Sequence, residues 1–279
     1  LEKRIQVILG DFDPTVPPPK IDPVPAGVTR PTWSVMIPAY NCAKYLTQTL
    51  ESVLEQDPGP EHMQIEVVDD CSTLDDPEKV VREVGKGRVA FHRNAKNSGY
   101  CTLNFNICIQ RSIGHLVHIL HGDDYVVPGF YEEIQKLTLQ HKEVMIFATR
   151  SLIVDEQGVI NATSARLVEY EEKGSTSYSA FTKMNPLPFP GIAIKRQFYE
   201  CTGGFTPTLL HCADWEMWAR ATASTGMVMS NKLLAGYRNH SNNDTSKFIK
   251  TADNLNEYLK LYFVLRNRIE HYPLQDSIN

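Results

Sequence analysis

The sequence predicts an α/β protein whose mostly parallel sheet is flanked by helices. The first indication is that short apolar runs alternate with segments whose apolar residues recur at helical spacing. The second is that the run 33–38 (WSVMIP) is apolar on both faces of a strand. Strands of this kind are typical of parallel sheets that helices cover on both sides.

Four strands and four helices are predicted to alternate in the first half of the chain. The first helix carries Leu46, Leu50 and Val53 at helical spacing. The second has Pro77 near its start and ends with Gly85, which suits those two positions. In chain order the predictions are a strand at 33–38, a helix at 43–56, a strand at 64–70, a helix at 76–85, a strand at 88–94, a helix at 102–113, a strand at 115–120 and a helix at 129–141.

The second half of the chain is less regular. Residues 144–160 predict two strands around a turn at Glu156–Gly158. A helix is expected at 214–224, a strand at 233–240 and a long final helix at 251–272.

The predicted domain organisation has three parts. Residues 1–32 form an extended arm or linker, because seven of the 17 prolines lie between Asp11 and Pro31. Residues 33–245 form the main domain, which divides into halves at 33–128 and 129–245. Residues 246–279 form the C-terminal helix.

Composition sets limits on the class of protein. A net charge of −5 over 279 residues, with 42% hydrophobic residues, predicts a soluble globular protein that does not bind nucleic acid by bulk charge. No apolar run approaches the roughly 20 residues of a membrane helix, and the first ten residues do not resemble a secretory signal. Six cysteines without a CxxC pair argue against a zinc site and indicate a reducing compartment. We therefore expect a cytoplasmic location.

Segments that carry polar residues lie at the ends of three of the predicted strands. They are Pro38 to Asn41, Asp69 to Ser72 and His121 to Asp124. In open parallel sheets, ligands bind beyond the carboxyl ends of the strands. The three polar ends together predict one crevice.

The ordered set of motifs resembles the family 2 glycosyltransferases, which have the GT-A fold. The resemblance covers roughly residues 33–245 and implies a nucleotide-binding half at 33–128 and an acceptor half at 129–245. The motifs are VMIPAYN (35–41), LESVLEQ (50–56), IEVVDDCST (65–73), NSGYCTLNFNI (97–107), LHGDDYVVPG (120–129), GGF (203–205), ADWEMWAR (213–220) and YRNH (237–240). The resemblance implies transfer of a sugar from a nucleotide diphosphate, here expected to be UDP, to an acceptor hydroxyl with inversion.

The resemblance also implies which residues hold the nucleotide. Tyr40 can stack on the base, and Asp70 can accept the imide N–H of a uracil. If Asp70 only caps its loop, Asp69 is the alternative. The other expected nucleotide contacts are Pro38, Asn41, Asn97, Gly99, Gly122 and Asp123.

A departing diphosphate gathers negative charge, which a hard divalent cation can neutralise. The family pattern is Asp-x-Asp. Aligned on Pro128, it falls on His121 to Asp123, so Asp123 is the expected ligand of Mn²⁺ or Mg²⁺ and His121 replaces the first acid. His121 is then expected to contact the donor, and His240 to lie at the metal or diphosphate.

The expected general base is Asp214, in the acceptor half. The resemblance implies a pair of adjacent acids at this point, of which Ala213 replaces the first and Asp214 retains the second. Glu216 is a weaker candidate. Trp215 is either an acceptor platform or core, and Arg238 contacts phosphate or pairs with an acid. Gly191 is expected to let the backbone approach the donor sugar.

Two other functions stay open at this point. One is a two-metal nucleotidyl or phosphoryl transferase that uses Asp123 and Asp124 together. The other is a non-catalytic domain that binds a sugar nucleotide or a glycan, which the changes at His121 and Ala213 favour.

For the transferase, the partners are a nucleotide sugar and a hydroxyl on a glycan, a lipid-linked saccharide or a protein. Peripheral contact with the cytoplasmic face of a membrane is compatible with the sequence. The sequence does not indicate the donor sugar, the linkage or the oligomeric state.

Overall fold

The computed structural model of the chain describes residues 11–166, 181, 184–241, 243, 248, 250–251 and 253–269. Over these residues the chain forms one nine-stranded sheet with helices on both faces. The predicted α/β class is confirmed.

The first half of the chain has its elements close to the predicted positions. They are β1 (Trp33–Ala39), α1 (Ala43–Leu54), β2 (Met63–Asp69), α2 (Pro77–Gly85), β3 (Ala90–Arg93), α3 (Cys101–Arg111), β4 (Leu116–Ile119), β5 (Tyr125–Val126) and α4 (Phe130–Gln140). The second half contributes β6 (Ile146–Val154), β7 (Ile160–Thr163), a 3-10 turn (Phe189–Gly191), β8 (Ile192–Lys195), α5 (Arg196–Thr202), α6 (Ala213–Thr225), β9 (Met227–Arg238) and α7 (Asp253–Ile269).

The strand order is β3-β2-β1-β4-β8-β6-β9-β5, and β7 pairs with β6. The pairings among β3, β2, β1 and β4 are all parallel, and Ala39 is in register with Asp69. These strands therefore end at one edge of the sheet. β8 runs antiparallel to both β4 and β6, so the sheet is mixed beyond β4.

Two hydrophobic cores cover the faces of the sheet. Alternate residues of β1 point to opposite faces. Met36 packs in the core that contains Phe105 of α3 and Trp218 of α6. Val35 packs with Leu50 of α1 in the other core. A strand buried on both faces explains the unbroken apolar run in the sequence.

The proline-rich segment lies against the body of the protein from residue 11 onward. Ile21 is 2% exposed and belongs to the core around Phe105. The Pro19 carbonyl accepts a hydrogen bond from Gly204 N (2.8 Å), and Arg30 donates to two main-chain carbonyls. Proline has no N–H to complete a ladder, so residues 11–32 form no strand, but the segment is fixed in place.

Buried carboxylates attach α7 to α6 and the preceding loop. Glu216 is fully buried between Arg220 (2.9 Å) and Arg268 (2.5 Å). Glu257 accepts the backbone N–H groups of Leu210 (2.7 Å) and His211 (3.0 Å). The predicted helix at 251–272 extends beyond the described end of α7. None of the helices in the described part of the chain is long and apolar enough to cross a membrane.

The sequence did not predict β5 or α5, and it placed the start of β9 six residues late. β5 has only two residues, and α5 has seven and no side-chain cap. β9 begins at Met227 with MVMS, which pairs in parallel with β6 from Ile146 onward.

Candidate active site

A crevice of about 1810 Å³ lies beyond the ends of β1, β2 and β4 and extends across α6 to α7. The polar ends of the three strands line one part of it. Asp214, Trp215 and residues of α7 line another.

Asn41 connects the ends of β1 and β2. Its backbone is in the left-handed region, with φ of 51°. Its Oδ1 accepts hydrogen bonds from the N–H groups of Thr73 (2.9 Å) and Leu74 (3.0 Å), and its own N–H donates to Ser72 Oγ. Asn41 thus shapes one wall of the crevice.

Asp70 organises the loop after β3. Its carboxylate accepts hydrogen bonds from Asn94 Nδ2 (2.8 Å), Asn97 Nδ2 (3.1 Å) and the hydroxyl of Ser98 (2.7 Å). Asp69 is fully buried against Ser72 and Arg93. Of the two acids, only Asp70 borders the crevice. Its oxygens are already occupied by the loop.

The other predicted nucleotide contacts also border the crevice. Tyr40 is 49% exposed at its rim, which leaves a ring face accessible to a base. Asn97 Oδ1 accepts the N–H of Gly99, whose φ is +92°. Pro38 and Gly122 lie on the floor. A Cβ on Gly122 would lie 2.6 Å from Cys42 Sγ, so a larger residue at this position would have to displace the Cys42 side chain just before α1.

His121, Asp123 and Asp124 follow β4 and form a group that is here called the acidic cluster. Asp123 Oδ2 accepts a hydrogen bond from His240 Nε2 at 2.9 Å. Asp124 is 2% exposed, and its Oδ1 accepts the N–H of Arg238 at 2.8 Å. His121 Nδ1 lies 3.8 Å from Asp124 Oδ2. The end of β9 therefore holds both acids in place.

The cluster fits a divalent cation. His121, Asp123 and Asp124 can each offer a ligand atom within 4.8 Å of the others. Asp124 Oδ2 is buried and has no hydrogen-bond partner among the described residues. Burial and the nearby Asp123 charge raise the pKa of Asp124 well above its ordinary value. A hard cation at this point would bind Asp124 Oδ2 and would offset the repulsion between the Asp123 and Asp124 carboxylates.

Arg238 has a structural position. Its guanidinium donates to the carbonyls of Asp123 (3.0 Å) and Asp155 (3.2 Å), and it lies 5.0 Å from the ring of Tyr45. These contacts bury it at the base of the acidic cluster. Its remaining donor contact is to Gln48 Oε1, and Arg238 also lines the crevice, so the expected phosphate contact stays a prediction.

His121 is packed between two phenylalanines and still borders the crevice. Its ring stacks on Phe105 with centroids 4.9 Å apart and lies 4.2 Å from the ring of Phe189. This position is compatible with the expected contact to the donor and also with a purely packing role under the strand end.

Asp214 lies in the first turn of α6 and faces the crevice. Its Oδ2 accepts a hydrogen bond from Asn185 Nδ2 (3.0 Å), and its Oδ1 accepts the N–H of Trp215 (2.7 Å). Burial raises the pKa of Asp214 to about 6, against the effect of these donors. A carboxylate with such a pKa is suited to accept a proton near neutral pH.

Two predicted contacts lie away from the crevice. Glu216 is enclosed by Arg220 and Arg268 and does not line the crevice. Side chains two residues apart on a helix point to different faces. Glu216 therefore points away from the crevice that Asp214 faces. Gly191 packs against β6, where a Cβ would lie 2.7 Å from the Thr149 carbonyl. Neither position supports direct contact with donor or acceptor.

Sequence reasoning missed Asn185 and Tyr45. Asn185 orients Asp214 from a Pro-rich segment without helical or strand periodicity. Tyr45 stacks on His240 with centroids 5.0 Å apart. It lies on α1, where the helical pattern alone does not distinguish it from other residues.

The mixed sheet and its crevice define a protein of the GT-A type. Residues 34–200 match the family model described as Glycosyl transferase family 2, and the chain belongs to this family. The predicted family and enzyme class are confirmed.

Two curated relatives match the chain at low identity. Chondroitin synthase of Pasteurella multocida (strain Pm70) is 24% identical over 255 residues, which cover 89% of this chain and 25% of that protein. An uncharacterized protein of Mycobacterium tuberculosis (strain CDC 1551 / Oshkosh) is 25% identical over 81% of this chain and 73% of its own length. The chain thus spans most of one relative and a quarter of the other.

Solved structures share the fold. The mannosyltransferase PcManGT from Pyrobaculum calidifontis, in complex with GDP-Man and Mn²⁺, has a TM-score of 0.62 at 18% identity and covers 98% of this chain and 71% of its own. Residues 1–349 of TarS from S. aureus, in complex with UDP-GlcNAc, have a TM-score of 0.61 at 18% identity, over 77% of this chain and 60% of that one.

Proposed function

We propose that this glycosyltransferase moves a sugar from a UDP-linked donor to an acceptor hydroxyl, with inversion and with a divalent cation at the acidic cluster. The observation that carries the proposal is that Asp123 and Asp214 line the same crevice. One can thus serve the diphosphate and the other the acceptor. The nucleotide sugars bound to TarS and to PcManGT, and the Mn²⁺ of the latter, support this assignment.

The donor is held at the strand ends. Tyr40 offers a ring to the base, and the loop that Asp70 holds borders the same part of the crevice. Asp123, Asp124 and His121 would hold Mn²⁺ or Mg²⁺, while His240 fixes the Asp123 carboxylate. When bound, the cation supplies positive charge against the diphosphate as it leaves.

Asp214 serves the acceptor. Its carboxylate takes the proton of the acceptor hydroxyl, whose oxygen forms a bond to the anomeric carbon. The bond from that carbon to the diphosphate oxygen breaks, and UDP leaves with the electron pair. A single displacement inverts the anomeric configuration. Asn185 holds Asp214 Oδ2 toward the crevice during this step.

The raised pKa of Asp214 predicts a pH profile. The base must be ionised, so kcat at saturating donor and Mn²⁺ should fall about tenfold for each pH unit below about 6 and level off above it. The hydrogen bond from Asn185 lowers this pKa, so Asn185→Leu should move the acid limb to higher pH. A kcat that stays constant down to pH about 5 would contradict Asp214 as the base.

His121→Asp distinguishes a donor-side histidine from a packing one. The variant loses the aromatic contacts with Phe105 and Phe189 and adds a third carboxylate to the cluster. We expect a lower melting temperature without metal, recovery in Mn²⁺ or Mg²⁺, and metal–UDP affinity at least equal to wild type with a shift toward Mg²⁺. His121→Asn, which adds no charge, is the matched control. Reduced stability with unchanged metal preference would show that His121 only packs.

A nucleotide-sugar panel tests the proposal. Thermal shift with UDP-, GDP- and dTDP-linked sugars, each in Mn²⁺ and in EDTA, should select a UDP sugar in Mn²⁺. Proton NMR of the product should show an inverted anomeric centre. A retained centre would overturn the single displacement. Donor binding without transfer to any acceptor or to water would favour a non-catalytic binding domain. Transfer of the nucleotidyl group would favour the two-metal nucleotidyl transferase.

A further inference from the structure

Several residues of the C-terminal helix line the crevice, among them two tyrosines and an arginine. Tyr258, Tyr262 and Arg266, here called the α7 stripe, are four residues apart and thus lie on one face of α7. All three line the crevice, and the two tyrosines are 42% and 57% exposed. The stripe lies outside residues 34–200, which match the family.

Trp215 links the α7 stripe to the proposed base. Trp215 follows Asp214 in α6, and its ring lies edge-to-face with Tyr258, with centroids 5.9 Å apart. Its Nε1 donates to the Phe181 carbonyl at 2.7 Å, which fixes the orientation of the indole. The stripe therefore begins beside Asp214, and Arg266 lies about 12 Å further along the helix.

The stripe is held rigidly with respect to α6. Glu257 caps the loop that leads into α6, and Arg268 pairs with Glu216 from α6. These contacts bracket the stripe from both sides in sequence. A preformed aromatic surface binds a ligand with little loss of side-chain entropy.

We propose that the α7 stripe binds the acceptor, and that the acceptor is a saccharide chain with an anionic group, carboxylate or phosphate, set back from its reacting end. This inference rests on the proposed sugar transfer. The C–H face of a sugar ring is apolar and packs on an aromatic ring while its hydroxyls stay in water, which suits half-exposed tyrosines. Among the residues that the structure describes, Arg266 has no ion-pair partner, and a guanidinium binds carboxylate and phosphate through paired hydrogen bonds.

Matched saccharide probes test the inference on the whole chain. Isothermal titration with saturating UDP and Mn²⁺ would use a hyaluronan tetrasaccharide against its carboxyl-reduced form, and 6-phosphomaltotetraose against maltotetraose. We expect wild type to bind at least one charged probe about tenfold more tightly than its neutral partner. The charged probe that shows the preference identifies the anion. Arg266→Gln should remove the preference, and Tyr262→Ala should weaken charged and neutral probes alike by about fivefold or more.

Two controls address nonspecific effects. Leu259→Ala changes a 38% exposed side chain of α7 that does not line the crevice, and Arg82→Gln removes a cation from α2. The inference is overturned if Arg266→Gln keeps the preference, if Tyr262→Ala behaves like Leu259→Ala, or if wild type binds none of the probes. Titrations of the saccharide probes in the absence of UDP separate the inference about the α7 stripe from the proposed function. Failure of UDP to bind, with the probe pattern intact, contradicts the proposed function alone.

Discussion

Asp214→Asn should lower sugar transfer by about 100-fold or more, the usual contribution of a general base. Asparagine keeps the shape of the side chain but cannot accept the proton of the acceptor hydroxyl. The binding of UDP should stay close to wild type, because the nucleotide residues lie at the ends of β1, β2 and β4. Initial rates of UDP release in the presence of acceptor measure the effect.

Stability separates this loss from unfolding. Burial raises the pKa of Asp214, which means that the fold disfavours its charge. A neutral asparagine should therefore not lower the melting temperature at neutral pH. Normal turnover by a folded Asp214→Asn protein would remove Asp214 from the mechanism.

Asp123→Asn should reduce transfer by a similar factor, but through the donor. The variant replaces an anionic ligand with a neutral amide and weakens the hold on a hard cation. We expect the dependence of UDP affinity on Mn²⁺ to be largely lost, with the base contacts of UDP unaffected. Titration of UDP at several Mn²⁺ concentrations measures this.

Asp76→Asn is the matched control for Asp123→Asn. It removes one negative charge from the N-cap of α2, where asparagine caps as well as aspartate. It lies outside the crevice and should keep the Mn²⁺ dependence of wild type. If Asp123→Asn also keeps it, the cation does not bind at the acidic cluster.

The sequence indicated the crevice because strand ends are a local feature. Asp70 and Asp123 follow short apolar runs that are typical of buried strands, and parallel pairing brings such ends together. Asp214 was predicted from its place in the ordered motifs of the family. The structure places all three along one crevice.

Charged residues with distant partners were not predictable in this way. Arg238 holds Asp123 and Asp155, and Glu216 pairs with Arg268, which lies 52 residues further along the chain. Local sequence does not show whether a charge meets a ligand or a buried partner. Composition likewise predicted an arm at residues 1–32 but gave no sign that Ile21 is buried in the core.

The affinity of UDP in Mn²⁺ and in EDTA tests the central claim most directly. Calorimetric titration of the wild-type chain should give binding at least about tenfold tighter in Mn²⁺, because the cation links the diphosphate to Asp123 and Asp124. Equal affinity in the two buffers would contradict a metal-dependent glycosyltransferase site at the end of β4.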